Sequence, residues 1–169
     1  ADRVEEIAAL GAVCREKGLA LHMDGARFAN ALVGDIASPA ALTWKAGDAV
    51  LTFGATKNGA LGVDAVICFS DAAASVLPHL RKRAGHMLSK HRFLGAQMAA
   101  YLEDDLWLVL ARAANAQAQA LHAALVAKGA DILHPVDGNE GFARLDAPLA
   151  VRLREAGCQF YEWGPDGPG

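Results

Sequence analysis

Two stretches of this sequence carry residue types that could do chemistry together. They are His22-Met23-Asp24-Gly25-Ala26-Arg27 and Thr52-Phe53-Gly54-Ala55-Thr56-Lys57-Asn58-Gly59. In the first, a carboxylate follows the apolar run Leu19-Ala-Leu-His-Met23. If that run is a buried strand, its period of two puts His22 and Asp24 on one face. Ligands of open α/β sheets gather at the carboxyl ends of strands. In the second, Lys57 sits in a glycine-flanked loop just after another apolar run, at the same edge of the sheet. Apolar strands would partly desolvate its amine and lower its pKa, as Schiff-base chemistry requires. Each stretch alone also has a plainer reading. A strand-terminal Asp can cap the next helix, and a lysine before Asn58-Gly59 can be a solvated turn residue.

Together the two are more specific. A pyridoxal phosphate site needs a lysine for the Schiff base and a carboxylate on the pyridine nitrogen. That carboxylate keeps the nitrogen protonated, so the ring accepts the electrons of a cleaved bond. Asp24 and Lys57 supply both parts. Competing chemistries lack their signatures. No G-x-G-x-x-G follows a strand and no G-x-x-x-x-G-K-[ST] occurs. There is no G-x-S-x-G nucleophile elbow, and the Cys and His residues show no metal-ligand spacing.

The elements that must position these residues are legible from periodicity. Residues 2–17 read as a helix with Val4, Ile7, Ala8, Gly11 and Cys14 inward and Gly18 as its stop. Strands are expected at 19–23, 48–53 and 65–69, and short helices at 26–33 and 38–42. The link from Gly54 to Asp64 is barely long enough for a parallel crossover and lacks helical patterning. Strands 48–53 and 65–69 should therefore run antiparallel, in a mostly parallel α/β sheet with that antiparallel strand near its edge.

The chain from Asp71 to Lys128 is alanine-rich and reads as helical, with Pro78 interrupting early and Gly85 and Gly95 loosening the middle. Its last helix is expected over 96–128, with Leu102, Leu106, Leu110, Ala113, Gln117, Leu121 and Leu125 inward. At that length it would reach about 45 Å and could bridge two domains. Short strands at 132–133 and 142–145, a helix at 148–156 and a strand at 159–163 would begin a small α+β domain. The expected division is a large-domain portion at 1–100, an interdomain helix at 101–128 and the start of a small domain at 129–169. Both ends read as cut, which suggests a piece of a longer protein.

Composition narrows the function classes. The chain has 169 residues, net charge −3 and 53% apolar residues, unlike a disordered chain. It lacks a basic excess, which disfavours nucleic acid. No run of about 20 apolar residues is present to span a membrane. Cys14, Cys68 and Cys158 are odd in number and far apart, which fits a reducing cytoplasmic compartment.

The wider motif pattern resembles the low-specificity L-threonine aldolases, in the β-eliminating-lyase branch of the fold-type I pyridoxal phosphate enzymes. The resemblance rests on 22–27, on 53–59, on Arg81-Lys-Arg-Ala-Gly-His-Met-Leu-Ser-Lys-His-Arg-Phe-Leu-Gly95, and on Leu102-Glu-Asp-Asp-Leu-Trp107 with Ala111-Arg-Ala-Ala-Asn115. It covers nearly all of this chain and only the middle and C-terminal part of the family's architecture. It implies that Lys57 forms the Schiff base, that Asp24 pairs with the pyridine nitrogen and that Arg27 hydrogen-bonds the ring hydroxyl. His22 is expected to support Asp24 from behind. Arg83 is the best candidate among the basic residues of 81–92 for the cofactor phosphate, although that stretch also reads as a solvated helix face.

The resemblance further implies cleavage of β-hydroxy-α-amino acids to glycine and an aldehyde, and a homo-oligomer. The family's phosphate loop, ring-stacking histidine and substrate-carboxylate arginine would lie outside this chain. The alternatives are another fold-type I enzyme, such as a related lyase, racemase or aminotransferase, and a non-catalytic α/β fragment or oligomerisation module.

Overall fold

The computed structural model describes residues 2–34, 38–164 and 167–168. The expectations about Ala1 and the glycine–proline end at 164–169 fall wholly or partly outside them. The chain opens with helix α1, Val4–Glu16, which Gly18 ends in a left-handed conformation (φ 65°). Ile7 and Gly11 are its buried residues, on the face expected from the sequence. Strand β1, Leu21–Gly25, helices α2, Phe28–Gly34, and α3, Pro39–Leu42, and strand β2, Asp48–Gly54, come next. A one-turn 3-10 helix at Thr56–Asn58 leads to strand β3, Asp64–Cys68.

The three strands form one sheet in the order β1-β2-β3. β1 and β2 are parallel, with Asp24 opposite Thr52, and β2 and β3 are antiparallel, with Thr52 opposite Val66. The edge strand is therefore the antiparallel one, as the short 54–64 link requires. Leu51 and Phe53 point from β2 into the core, where they meet Ile7, Phe28, Leu32, Leu42 and Tyr101. Phe53 is the hub. Its ring lies 6.1 Å from Phe28, 6.0 Å from Tyr101 and 5.5 Å from Trp107. These edge-on and tilted contacts fix the relative placement of sheet and helices.

The helical region departs from expectation in three ways. Helix α4, Asp71–Arg83, runs through Pro78 rather than breaking there. It has no buried residue, so water can reach the Ala74 carbonyl that the proline leaves without a helical N–H. The long helix expected at 96–128 is broken at Glu103–Asp105, where Asp104 (φ 49°) and Asp105 (φ 57°) are left-handed. Aspartate tolerates that region better than most residues. Helix α5, Arg92–Leu102, precedes the break and helix α6, Leu106–Ala127, succeeds it. With 22 residues, α6 is about 33 Å long.

The inward stripe is also displaced. Leu102, Leu106 and Leu121 are exposed, whereas Ala111 is fully buried with Trp107, Asn115, Ala118 and His122 partly covered along the same face. This face packs on α2, where Asn30 and Asn115 join by two hydrogen bonds of 3.0 and 2.9 Å. Small and amide side chains let the two helices approach, so Leu102, Leu106 and Leu121 are left outside, while Leu110 packs on the core and Leu125 is half-buried.

Beyond Gly129, strands β4, Asp131–Ile132, and β5, Ala143–Arg144, pair antiparallel, and helix α7 spans Ala147–Glu155. The strand expected at 159–163 is not formed as such. Residues 159–162 are irregular, and β6, Trp163–Gly164, pairs with β7, Gly167–Pro168. No described helix is long and apolar enough to cross a membrane.

Strand β2 begins on a buried carboxylate. Asp48 is 5% exposed, and neither of its oxygens has a hydrogen-bond partner among the described residues. Burial pushes its pKa from 3.8 up to about 6, and nearby His22 pulls the other way. The folded state thus holds this proton more tightly than the unfolded state. The stability this group contributes is full below pH 3.8 and is lost as pH rises through about 6. In urea melts from pH 4 to 7.5, Asp48→Asn should gain on the wild type as pH rises, and a constant difference would contradict the assignment. Phe53→Ala should cost about 3–5 kcal/mol at any pH. A loss under about 1 kcal/mol in the same melts would show that Phe53 is not the hub.

Candidate active site

The carboxyl ends of β1 and β2 lie together because the strands are parallel and in register, with Gly25 opposite Phe53. Two glycines let them approach closely. A Cβ on Gly54 would sit 2.6 Å from the Ala26 Cα and 2.7 Å from the Ala26 carbonyl oxygen. A Cβ on Gly25 would sit 2.6 Å from the Thr52 carbonyl oxygen. Only a residue without a side chain fits at either point, and the end of β2 therefore rests on the turn that carries Asp24.

Asp24 shapes that turn. Its Oδ1 accepts a 3.0 Å hydrogen bond from the Ala26 N–H, as Asp residues do in turns. The other carboxylate oxygen takes no hydrogen bond among the described residues. The run before Asp24 reads as a buried strand in the sequence, but both Asp24 and His22 are exposed, and Met23 is the side chain turned toward the core. The alternation of the strand explains this, since His22 and Asp24 share the outer face. His22 does not bond Asp24. Its Nε2 lies 2.9 Å from the Thr52 Oγ1, and Thr52 is the register partner of Asp24.

Lys57 lies in the middle of the 3-10 turn, between buried Ala55 and Asn58. The Asp64 carboxylate accepts from the Ala55 N–H (3.0 Å), the Thr56 N–H (3.3 Å) and the Thr56 hydroxyl (3.1 Å). Asn58 Nδ2 donates to the Tyr101 hydroxyl at 2.6 Å and to the Trp107 carbonyl at 2.9 Å. The turn is thus fixed on both sides. Lys57 itself is exposed, against the desolvation expected from sequence, and its amine has no partner among the described residues.

Arg27 comes after Asp24 on the same turn. Its Nη2 pairs with Glu140 Oε1 at 2.7 Å, while its Nε is buried and has no hydrogen-bond partner among the described residues. A cavity of about 270 Å³ lies here, lined by Met23, Asp24, Arg27, Asn139 and Glu140 among others. Glu140 had no signal in the sequence, being brought to Arg27 from far along the chain. Arg83 ends α4 and is exposed, and no described contact joins it to the strand ends. Arg81, not Arg83, borders a groove of about 860 Å³ that is also lined by Thr52, the strand partner of Asp24, and by Thr56, Val66 and Met98. The structure therefore brings Asp24, Arg27, Gly54 and the Lys57 turn to one edge and leaves Arg83 apart.

These groups suit pyridoxal phosphate chemically. Among the described residues, an exposed primary amine, a carboxylate oxygen and a buried guanidinium N–H, none with a partner, are carried by turns at one sheet edge. They match an aldehyde, a protonated ring nitrogen and a ring hydroxyl.

The family model for beta-eliminating lyases matches residues 3–148. The chain is 44% identical over 167 residues to a low specificity L-threonine aldolase of Pseudomonas aeruginosa, covering 98% of this chain and 48% of that protein. It is 44% identical over 161 residues to a protein of the same name from Pseudomonas sp. strain NCIMB 10558, covering 94% of this chain and 46% of the relative. A solved structure of Leishmania major threonine aldolase superposes with a TM-score of 0.87 at 29% identity, over 98% of this chain and 48% of that one. This chain thus spans about half the length of the relatives it matches, over a shared fold, and it belongs to the beta-eliminating lyase family.

Proposed function

We propose that the protein is a pyridoxal phosphate-dependent carbon–carbon lyase acting on β-hydroxy-α-amino acids, L-threonine among them. The reaction removes the β-hydroxyl proton, breaks Cα–Cβ and returns a proton to Cα, giving glycine and an aldehyde. The observation that carries the proposal is the close backbone approach at Gly54, which sets the Lys57 turn against the Asp24 turn. The names of the relatives select this reaction within the broader cofactor class.

Bound pyridoxal phosphate supplies a ring that accepts the electron pair of the broken bond. The chain's own residues hold and tune it. Lys57 supplies the amine that anchors the aldehyde carbon. Asp24 holds the proton on the ring nitrogen with its unpartnered oxygen, and its bond to the Ala26 N–H keeps the carboxylate aimed. Arg27 directs a guanidinium N–H to the ring hydroxyl while Glu140 holds its other end. His22 steadies the strand end through Thr52. Arg83, or Arg81 beside it, is the cation proposed for the phosphate. A homo-oligomer in the cytoplasm belongs to the same proposal. Free Cys14, Cys68 and Cys158 support it, as do exposed Leu88 and Phe93 in and beside the basic stretch 81–92.

The test is reduction with borohydride after adding the cofactor, with peptide mapping of the product. It is run on this chain and on the longest polypeptide its reading frame encodes. Yellow absorbance, and label fixed on Lys57, are expected in the longer form at least. Lys57→Ala should remove both and lower threonine cleavage at least about 10³-fold. Asp24→Ala should keep the label and lower turnover about 10²–10³-fold. Label retained without Lys57, or near-normal turnover without Asp24, would overturn those assignments. No label in either wild-type form would favour a non-catalytic α/β module.

A further inference from the structure

We propose that Asn58 and Asp64 are positioning residues that clamp the Lys57 turn from opposite sides and tie the lysine to the corner between α5 and α6. The proposal rests on the reading of Lys57 as the cofactor lysine. A single 3-10 turn has poor hydrogen-bond geometry and little stability of its own, so outside partners must hold it. Asp64 takes three hydrogen bonds from Ala55 and Thr56, fixing the entry to the turn. Asn58 fixes the exit. A side-chain amide nitrogen has two N–H donors, and Asn58 spends one on the Tyr101 hydroxyl and one on the Trp107 carbonyl.

Tyr101 belongs to α5 and Trp107 to α6, so one side chain joins both helices across the break at Glu103–Asp105. The left-handed backbone at Asp104 and Asp105 makes the corner that puts these two acceptors within reach of one nitrogen. Asn58 is 7% exposed and Tyr101 3% exposed. Loss of the amide would leave buried polar groups unsatisfied, the costly way to break a hydrogen bond. Phe53 packs on both Tyr101 and Trp107, so the clamp and the core share their aromatic residues. Between these two anchors the Lys57 backbone is held, while its side chain is exposed.

Two readouts test this on the longest polypeptide its reading frame encodes. Amide hydrogen exchange reports the turn without the cofactor. Borohydride labelling by pyridoxal phosphate compares Lys57 with Lys45, an exposed lysine outside the site. Asn58→Ala should speed exchange across 55–60 about tenfold and slow Lys57 labelling by a similar factor, leaving Lys45 unchanged. Tyr101→Phe keeps the ring and removes one acceptor, so it should shift both readouts the same way by less. It also remains informative if Asn58→Ala fails to fold. Gln97→Ala removes only exposed bonds, the one its Oε1 accepts from the Leu61 N–H and the one its Nε2 donates to the Phe93 carbonyl, and should leave both readouts unchanged. Wild-type exchange and labelling in Asn58→Ala, or equal slowing at Lys57 and Lys45, would overturn the clamp. If wild-type protein labels Lys57 no better than Lys45, the cofactor reading fails, and exchange across 55–60 alone decides the clamp.

Discussion

The structure depends on one steric constraint, the approach of the end of β2 to the turn after β1. Gly25 and Gly54 each occupy a point where a Cβ would lie within 2.7 Å of backbone from the other segment. Parallel pairing brings the two strand ends to the same edge, and the glycines remove the atoms that would hold them apart. Chain continuity then places the residues after each glycine. Ala26 and Arg27 leave one strand, and Ala55 and Lys57 leave the other. The turns that carry a carboxylate and an amine far apart in sequence are set side by side through backbone packing.

The groups proposed for catalysis stand on buried supports. Lys57 is exposed, yet Ala55 and Asn58 on either side of it are buried, and Phe53 anchors the strand below. Asp24 is exposed, yet Met23 packs against the core. A functional site needs this division. The reactive atoms must be reachable, while the backbone that carries them must be held by packing and satisfied hydrogen bonds. Arg27 and Glu140 extend the site toward the C-terminal segment, so the cavity is walled by parts of the chain that the sheet alone does not provide.

Much of this was legible in the sequence, for identifiable reasons. Periodicity marked α1 and all three strands of the main sheet, and the length of the 54–64 link was enough to make β3 antiparallel. The wider motifs identified the family. The misses share a cause in tertiary context. Glu103-Asp104-Asp105 has no helix breaker, and nothing local announces that two aspartates turn left-handed. The most buried stripe of α6 uses alanine and Asn115 because α2 comes close, whereas counting leucines selected a face of which Leu110 packs on the core but Leu106 and Leu121 are exposed. Lys57 reads from the sequence as partly desolvated and the run before Asp24 as a buried strand, but strand alternation and the outward turn leave both side chains open. Glu140 reaches Arg27 only through the fold, and no spacing rule could have paired them.

The glycine contact is the central claim, and one comparison tests it most directly. Gly54 and Gly62 flank the same lysine turn, but a Cβ on Gly62 would meet nothing within 4 Å. Gly54→Ala and Gly62→Ala, in the longest polypeptide the reading frame encodes, would be compared for reductive fixation of pyridoxal phosphate on Lys57. The expected result is that Gly54→Ala loses most of the label while staying folded by circular dichroism, and that Gly62→Ala labels as the wild type does. Equal labelling of the two variants would contradict the claim that this contact brings the amine and the carboxylate together.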